Sequence, residues 1–281
     1  SVGEIRLEGI DGHAGSRGDI VLQNEFLLFR RDLLQVRVRD LWRFVLLGLI
    51  GIAGSNFTYY YTISETNVAT AILLQYLAPI FVLLYAAMTR EEELTAVKVV
   101  AGIVSLGGCF LAIAGKDLSV LRISDAGLVS GLAAAGCWAF ANIWLSHVLK
   151  GYPVWTALIY AFLAATIFWM VVNPPWHLIE AHYSAEQWGT FSIFAVISVL
   201  IPHSLYFSGM RYLTASRGII TATFEPIVAI GSAFLVLGET LSGAQLLGAA
   251  LVIAAILLLQ LKHEAPATAP SINRRTPSST K

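Results

Sequence analysis

Glu225 is the only acidic residue that lies deep within one of the long apolar runs of this 281-residue chain. A charged side chain at the centre of a bilayer costs about 2.5–3.5 kcal/mol on insertion scales, so a carboxylate there needs a purpose. On one continuous helix, Gly218, Thr221, Ala222, Ala229 and Ser232 would share its face. A small, polar strip with one acid suits a cavity wall. The chemistry on offer is proton exchange or the binding of a cationic group. The plainer alternative is a Glu bonded to a neighbouring helix, steadying the turn around Pro226.

Other polar groups in apolar runs extend the set. Gln75 sits one turn before Pro79, in line with Ala71 and Asn67, where it can bond a solute amide or carboxylate, or simply join two helices. Asn56 precedes Tyr59 by three residues, as His203 precedes Tyr206. A histidine there can carry protons, or serve as a bonded interhelical group. Its neighbour Pro202 lacks an N–H and frees a carbonyl. Trp138 and Asn142 lie one turn apart, an aromatic plate beside an amide, although a core tryptophan is the commoner outcome.

Catalytic and metal chemistry finds little support. His177, Glu180 and His182 share one loop without a further ligand nearby in sequence. There is no glycine-rich phosphate loop and no nucleophile elbow. No cofactor and no metal are expected. Cys109 and Cys137 fall inside apolar runs and read as small buried hydrophobes.

The elements that must position these groups follow from composition. Hydrophobic residues make up 57% of the chain, charged residues 13%, and the mean hydropathy is +0.71. A soluble domain is nearer one quarter charged. The 18 basic and 18 acidic residues cancel, so no global field draws in nucleic acid. The partners expected are a lipid bilayer and a small-molecule substrate, with the oligomeric state open. Eight apolar runs are long enough to cross about 30 Å of hydrocarbon as helices. They cover 42–63, 67–88, 97–115, 126–148, 154–173, 189–210, 217–237 and 243–262. A β-barrel is excluded, because the runs are too long and lack period-two alternation. The chain therefore reads as an all-α integral membrane protein.

The tails are different. Residues 1–19 and 264–281 are polar or rich in Gly, Pro, Ser and Thr and are expected to be disordered. Residues 20–40, short of a full span and rich in arginine, suit the membrane surface. With the N-terminal segment inside, sixteen of the eighteen Lys and Arg residues lie on the cytoplasmic side and only Lys116 and Arg122 opposite. This predicts both termini in the cytoplasm.

A repeat is hidden in the runs. Pro79 is followed by Glu92 thirteen residues on, and Pro226 by Glu239 at the same distance. The offset between the copies is 147, and it also pairs Tyr59 with Tyr206, Asn56 with His203, Leu94 with Leu241 and Thr95 with Ser242. Equivalent helices are five spans apart, so the copies cross the membrane in opposite senses. Inverted repeats mark secondary transporters, whose solute site lies between the copies near the midplane. The copies are expected at 41–116, with three helices, and 125–262, with five. Two further helices are expected before residue 42. Residues 1–40 cannot supply them, and with Ser1 at its start the chain reads as a piece of a longer protein or a processed product. Pro79, Glu92, Pro226 and Glu239 are expected to be structural markers of the repeat.

The stretch from Glu225-Pro226 to Gly238-Glu239, followed by Gln245 and Gly248, resembles the EamA family of the drug/metabolite transporter superfamily. Leu77-Ala78-Pro79 with Glu92 looks like the same motif in the first copy. The resemblance covers about residues 42–260. It implies a five-plus-five inverted-repeat fold in a bacterial inner (plasma) membrane that moves small organic metabolites by alternating access, often outward and often driven by an ion gradient. Two other readings remain open at this point: a non-transporting fragment or assembly partner, and an integral-membrane enzyme acting on lipid-linked substrates.

Overall fold

A computed structural model describes residues 35–115, 121–174, 176, 180, 182–238 and 241–261. Glu239, His177, the N-terminal segment up to residue 34 and the C-terminal tail lie outside the described residues. The described residues form helices long and apolar enough for eight membrane spans, close to the eight expected. They are α1 (Val38–Glu65), α2 in two pieces, α2a (Val68–Gln75) and α2b (Ala78–Thr89), α3 (Ala96–Ala114), α4 (Asp125–Leu149) and α5 (Val154–Val172). They continue with α6 (Ala185–Met210), α7 in two pieces, α7a (Ala215–Ala222) and α7b (225–237), and α8 (Gly243–Leu261).

Helix starts follow capping chemistry. A side-chain oxygen accepts a backbone N–H that would otherwise lack a partner. Asn67 does this for the N–H of Thr70 at 2.9 Å, and Ser124 for that of Gly127 at 3.0 Å. Ser184 and Gln187 form a reciprocal capping box, which starts α6 four residues before the expected 189. Helix α1 begins at Val38, earlier than expected, and Asp40 in its first turn accepts the Tyr152 hydroxyl at 2.7 Å and pairs with Arg43 at 3.7 Å.

The element bounds recur at the same offset as the sequence motifs. α2a and α7a have eight residues each and start 147 apart, and α3 and α8 have nineteen each and start 147 apart. Helices α2 and α7 break at equivalent places, Tyr76-Leu77 and Thr223-Phe224, with Pro79 and Pro226 in the first turn after the break. A proline fits there because its missing N–H would find no helical partner anyway. Wider π-helical stretches, Leu47–Gly54 in α1 and Ala195–Leu200 in α6, also fall at matching positions. The copies differ by one residue at a helix end. α2b stops at Arg90 (φ 56°), while α7b stops at Gly238 (φ 68°) after a π-stretch, Ala233–Leu237, that absorbs the extra residue.

Small residues set the packing. Gly48 and Gly51 of α1 lie against Ala161 and Ala164 of α5 and Ala141 of α4. α3 and α8 cross so closely that a Cβ on Gly248 would stand 2.4 Å from the Ala112 nitrogen and 2.6 Å from the Gly108 oxygen. Lipid tails are as apolar as leucine, so such helices associate through close backbone approach. A buried core of Ala78, Val82, Ala101, Ala135, Ile219 and Ile220 occupies one end of the bundle, where α7a packs against α2b, α3, α4 and α8. Toward the other end α7b packs mainly on α3, and no residue from 185 to 202 of α6 is buried.

Candidate functional site

The two helix breaks meet. Glu225 is the first residue after the break in α7, and Tyr76, inside the break in α2, donates its hydroxyl to Glu225 Oε2 at 3.3 Å. The carboxylate also interacts electrostatically with Tyr59 of α1, Tyr206 of α6 and Cys109 of α3. Glu225 remains exposed in the protein, and no Lys, Arg or His forms an ion pair with it among the described residues. An acid with no ion-pair partner among the described residues, bonded by a tyrosine hydroxyl from another broken helix, can take a proton or a cationic group.

Trp138, Asn142 and Tyr206 stand beside it as a unit. Asn142 is fully buried and donates to the Trp138 carbonyl at 2.7 Å, while its Oδ1 accepts the Tyr206 hydroxyl. The Trp138 and Tyr206 rings stack with centroids 5.7 Å apart and planes 25° apart. The amide and the aromatic plate thus fix α6 to α4. Gln75, the last residue of α2a, donates to Ser55 Oγ of α1 at 3.2 Å.

Other expected residues stand elsewhere. Thr221 does not share an uninterrupted face with Glu225, because the break at Thr223-Phe224 ends that helix first. Its hydroxyl bonds the Arg217 carbonyl at 2.8 Å. Gly218 is packed against the Met210 side chain. Asn67 is not in line with Gln75 on a helix; it is the cap that precedes it. His203 Nδ1 bonds the Val199 carbonyl at 2.8 Å, and its ring meets Phe162 edge-on at 5.2 Å, so it faces α5. Asn56 lies half-buried on α1 next to Ser55. No group of three or more metal-ligating side chains occurs among the described residues.

Glu92 lies at the end of the bundle, well away from the cluster. It pairs with Lys98 Nζ at 2.9 Å and accepts the Ser216 hydroxyl and, at 3.3 Å, the Ser216 N–H. Burial pushes its carboxyl up, but the hydrogen bonds from Ser216 and the adjacent Lys98 ammonium hold it below the usual range. Sequence reasoning missed Tyr76, Ser55, Lys98 and Ser216. For Tyr76 a signal was present: it stands at the repeat position of Thr223, two residues before Glu225.

A bundle of apolar helices with two spans broken at equivalent places, and an acid bonded across the breaks, is that of a membrane transporter. The chain belongs to the EamA-like transporter family, whose model matches residues 20–114 and 125–261. Membership of a transporter family sets the enzyme reading aside. An uncharacterized inner membrane transporter of Salmonella typhimurium, YicL, is 25% identical over 226 residues, which cover 79% of this chain and 74% of YicL. The threonine/homoserine exporter RhtA of the same species is 26% identical over 209 residues, 73% of this chain and 67% of RhtA. A "Probable terminal-alkyne amino-acid exporter" of Streptantibioticus cattleyicolor is 27% identical over 228 residues, 79% of this chain and 74% of its own. A crystal structure matches with a TM-score of 0.68 at 16% identity, covering 88% of this chain and 82% of that one, which shows the fold alone.

Proposed function

We propose that this transporter exports small organic solutes of the amino-acid type by alternating access, with Glu225 as the group that takes a proton or the solute's ammonium. The observation that carries this reading is the hydroxyl-to-carboxylate contact between the two broken helices. Broken helices at equivalent positions of two repeats are where secondary transporters build their sites. Tyr59, Tyr206 and Trp138 offer ring faces that suit an ammonium group. Gln75 and Asn56 border the same helices and are assigned to the solute path. The threonine/homoserine and amino-acid exporters among the relatives supply the solute class. The Lys and Arg distribution supports both termini, and the end holding Glu92, on the cytoplasmic side.

We assign the copies to 41–116 and 125–262. α4 and α5 cover α1, whereas α6, the counterpart of α1, has no such cover among the described residues. A second pair of helices against α6 would complete the symmetry. The test is solute movement in inverted membrane vesicles holding the full-length native protein. Labelled threonine and homoserine should accumulate when a proton gradient is imposed. Vesicles that accumulate neither these nor other amino acids above an empty control would contradict the reading.

A further inference from the structure

The repeat copies are joined by a charged contact at the end of the bundle that holds the buried core. Lys98 is 1% exposed and sits at the start of α3, where its ammonium meets the Glu92 carboxylate at 2.9 Å and the Glu93 carbonyl at 2.7 Å. Across the copy boundary, Ser216 in the first turn of α7a gives both its hydroxyl and its N–H to Glu92. The neighbouring Glu91 reaches His147 at the end of α4, at 2.7 Å. One six-residue loop, 90–95, therefore ties α7a and α4 to α3.

Three features make this contact suited to motion. A buried ion pair is a poor source of stability, because desolvation cancels most of its attraction, so it is better placed to specify one arrangement over another. It is also asymmetric in charge, since Lys98 has Gln245 as its repeat counterpart, and the Gln245 side-chain Oε1 accepts the Ser242 N–H at 2.9 Å instead. Finally, Ser216 and Glu225 are nine residues apart on the broken α7, about 13 Å along a helix. The short rigid piece α7a connects them, and the break lies between it and Glu225.

We propose that Glu92, Lys98 and Ser216 form the latch of a gate, closed in this structure, whose release opens the Glu225 cluster to the membrane face that bears loop 90–95. The proposal rests on the reading of Glu225 as the binding group. Occupation of Glu225 shifts α7a at its break, and Ser216 leaves Glu92. Cys109 is a native reporter of that shift. It is fully buried and lies 3.7 Å from the Thr223 carbonyl, in the break that ends α7a.

The experiment labels Cys109 with a membrane-impermeant maleimide in the full chain carrying Cys137→Ala, in right-side-out and inverted vesicles. Glu92→Ala and Lys98→Met should each raise the labelling rate at least about tenfold, from the loop 90–95 face only. The double variant Glu92→Lys with Lys98→Glu should return the rate toward the parent. If Glu92→Ala is not recovered in membranes, Lys98→Met carries the comparison. Unchanged labelling, or an equal rise from both faces, would overturn the latch. This readout involves no solute, so a failed latch is distinct from a protein that moves no amino acid.

Discussion

Tyr76 and Glu225 come from breaks in two helices that are repeat counterparts, and they touch at 3.3 Å. The geometry has a physical origin. Proline lacks an N–H, so each helix can turn before it without losing a bond, and the side chains at the two breaks meet between the copies. A polar site is thereby placed inside an apolar bundle at little cost to the backbone.

Removing the hydroxyl tests this contact. Tyr76→Phe should leave folding nearly unchanged, since a long bond of 3.3 Å to an exposed carboxylate is worth about 1.5 kcal/mol or less net. Transport should nevertheless fall several-fold, because Glu225 loses its nearest donor. The check is solute flux set beside the amount of protein in the membrane, which should match the parent.

The Asn142 network is a stability element. Asn142→Leu leaves the Tyr206 hydroxyl without its acceptor, at a cost of about 1–3 kcal/mol. Thermal unfolding of the detergent-purified protein should show a lower midpoint. An unchanged midpoint would mean that the amide does not fix α6 to α4.

Gly248 tests the crossing of α3 and α8. Because the nearest atoms to a new Cβ are backbone atoms, they cannot move aside. Gly248→Leu should therefore destabilise by about 1–3 kcal/mol or more and cut the folded yield. Gly136, which has nothing within 4 Å of an added Cβ, should accept Ala with no such loss.

Glu92 sets an acid limit. Its carboxyl is held below the usual range in the folded protein, so its stabilising contribution is present above the ordinary value of 4.5 and is lost as pH falls through the lowered one. The groups around it are Lys98, Ser216 and Thr214, with Glu91 and Glu93 beside it in the loop. Thermal stability of the parent should fall on acidification below about pH 4.5. Glu92→Gln should be less stable at neutral pH and show a smaller acid-side loss.

Most of the fold was legible, because a span needs only length and apolarity and these are local properties. Glu225, Tyr59, Tyr206, Trp138 and Asn142 drew notice as candidates for the same reason: a polar or aromatic group in an apolar run stands out. Contacts across copies were not. Thr221 was placed beside Glu225 on the assumption of one continuous helix, and the break in α7 turned that register aside. Tyr76 went unremarked because a tyrosine in a span is ordinary until the facing carboxylate is known. Ser216 and Lys98 looked like loop-edge residues, and only the fold brings them to Glu92 from 124 and 6 positions away in sequence.

The central claim is that Glu225 links the proton gradient to solute movement. The direct measurement compares the parent with Glu225→Gln in reconstituted vesicles, across a range of pH, for gradient-driven uptake and for solute exchange without a gradient. The variant should insert normally and lose the pH-dependent, gradient-driven component. A Glu225→Gln protein that retained the parent's pH dependence would contradict the account and rule Glu225 out as the coupling residue.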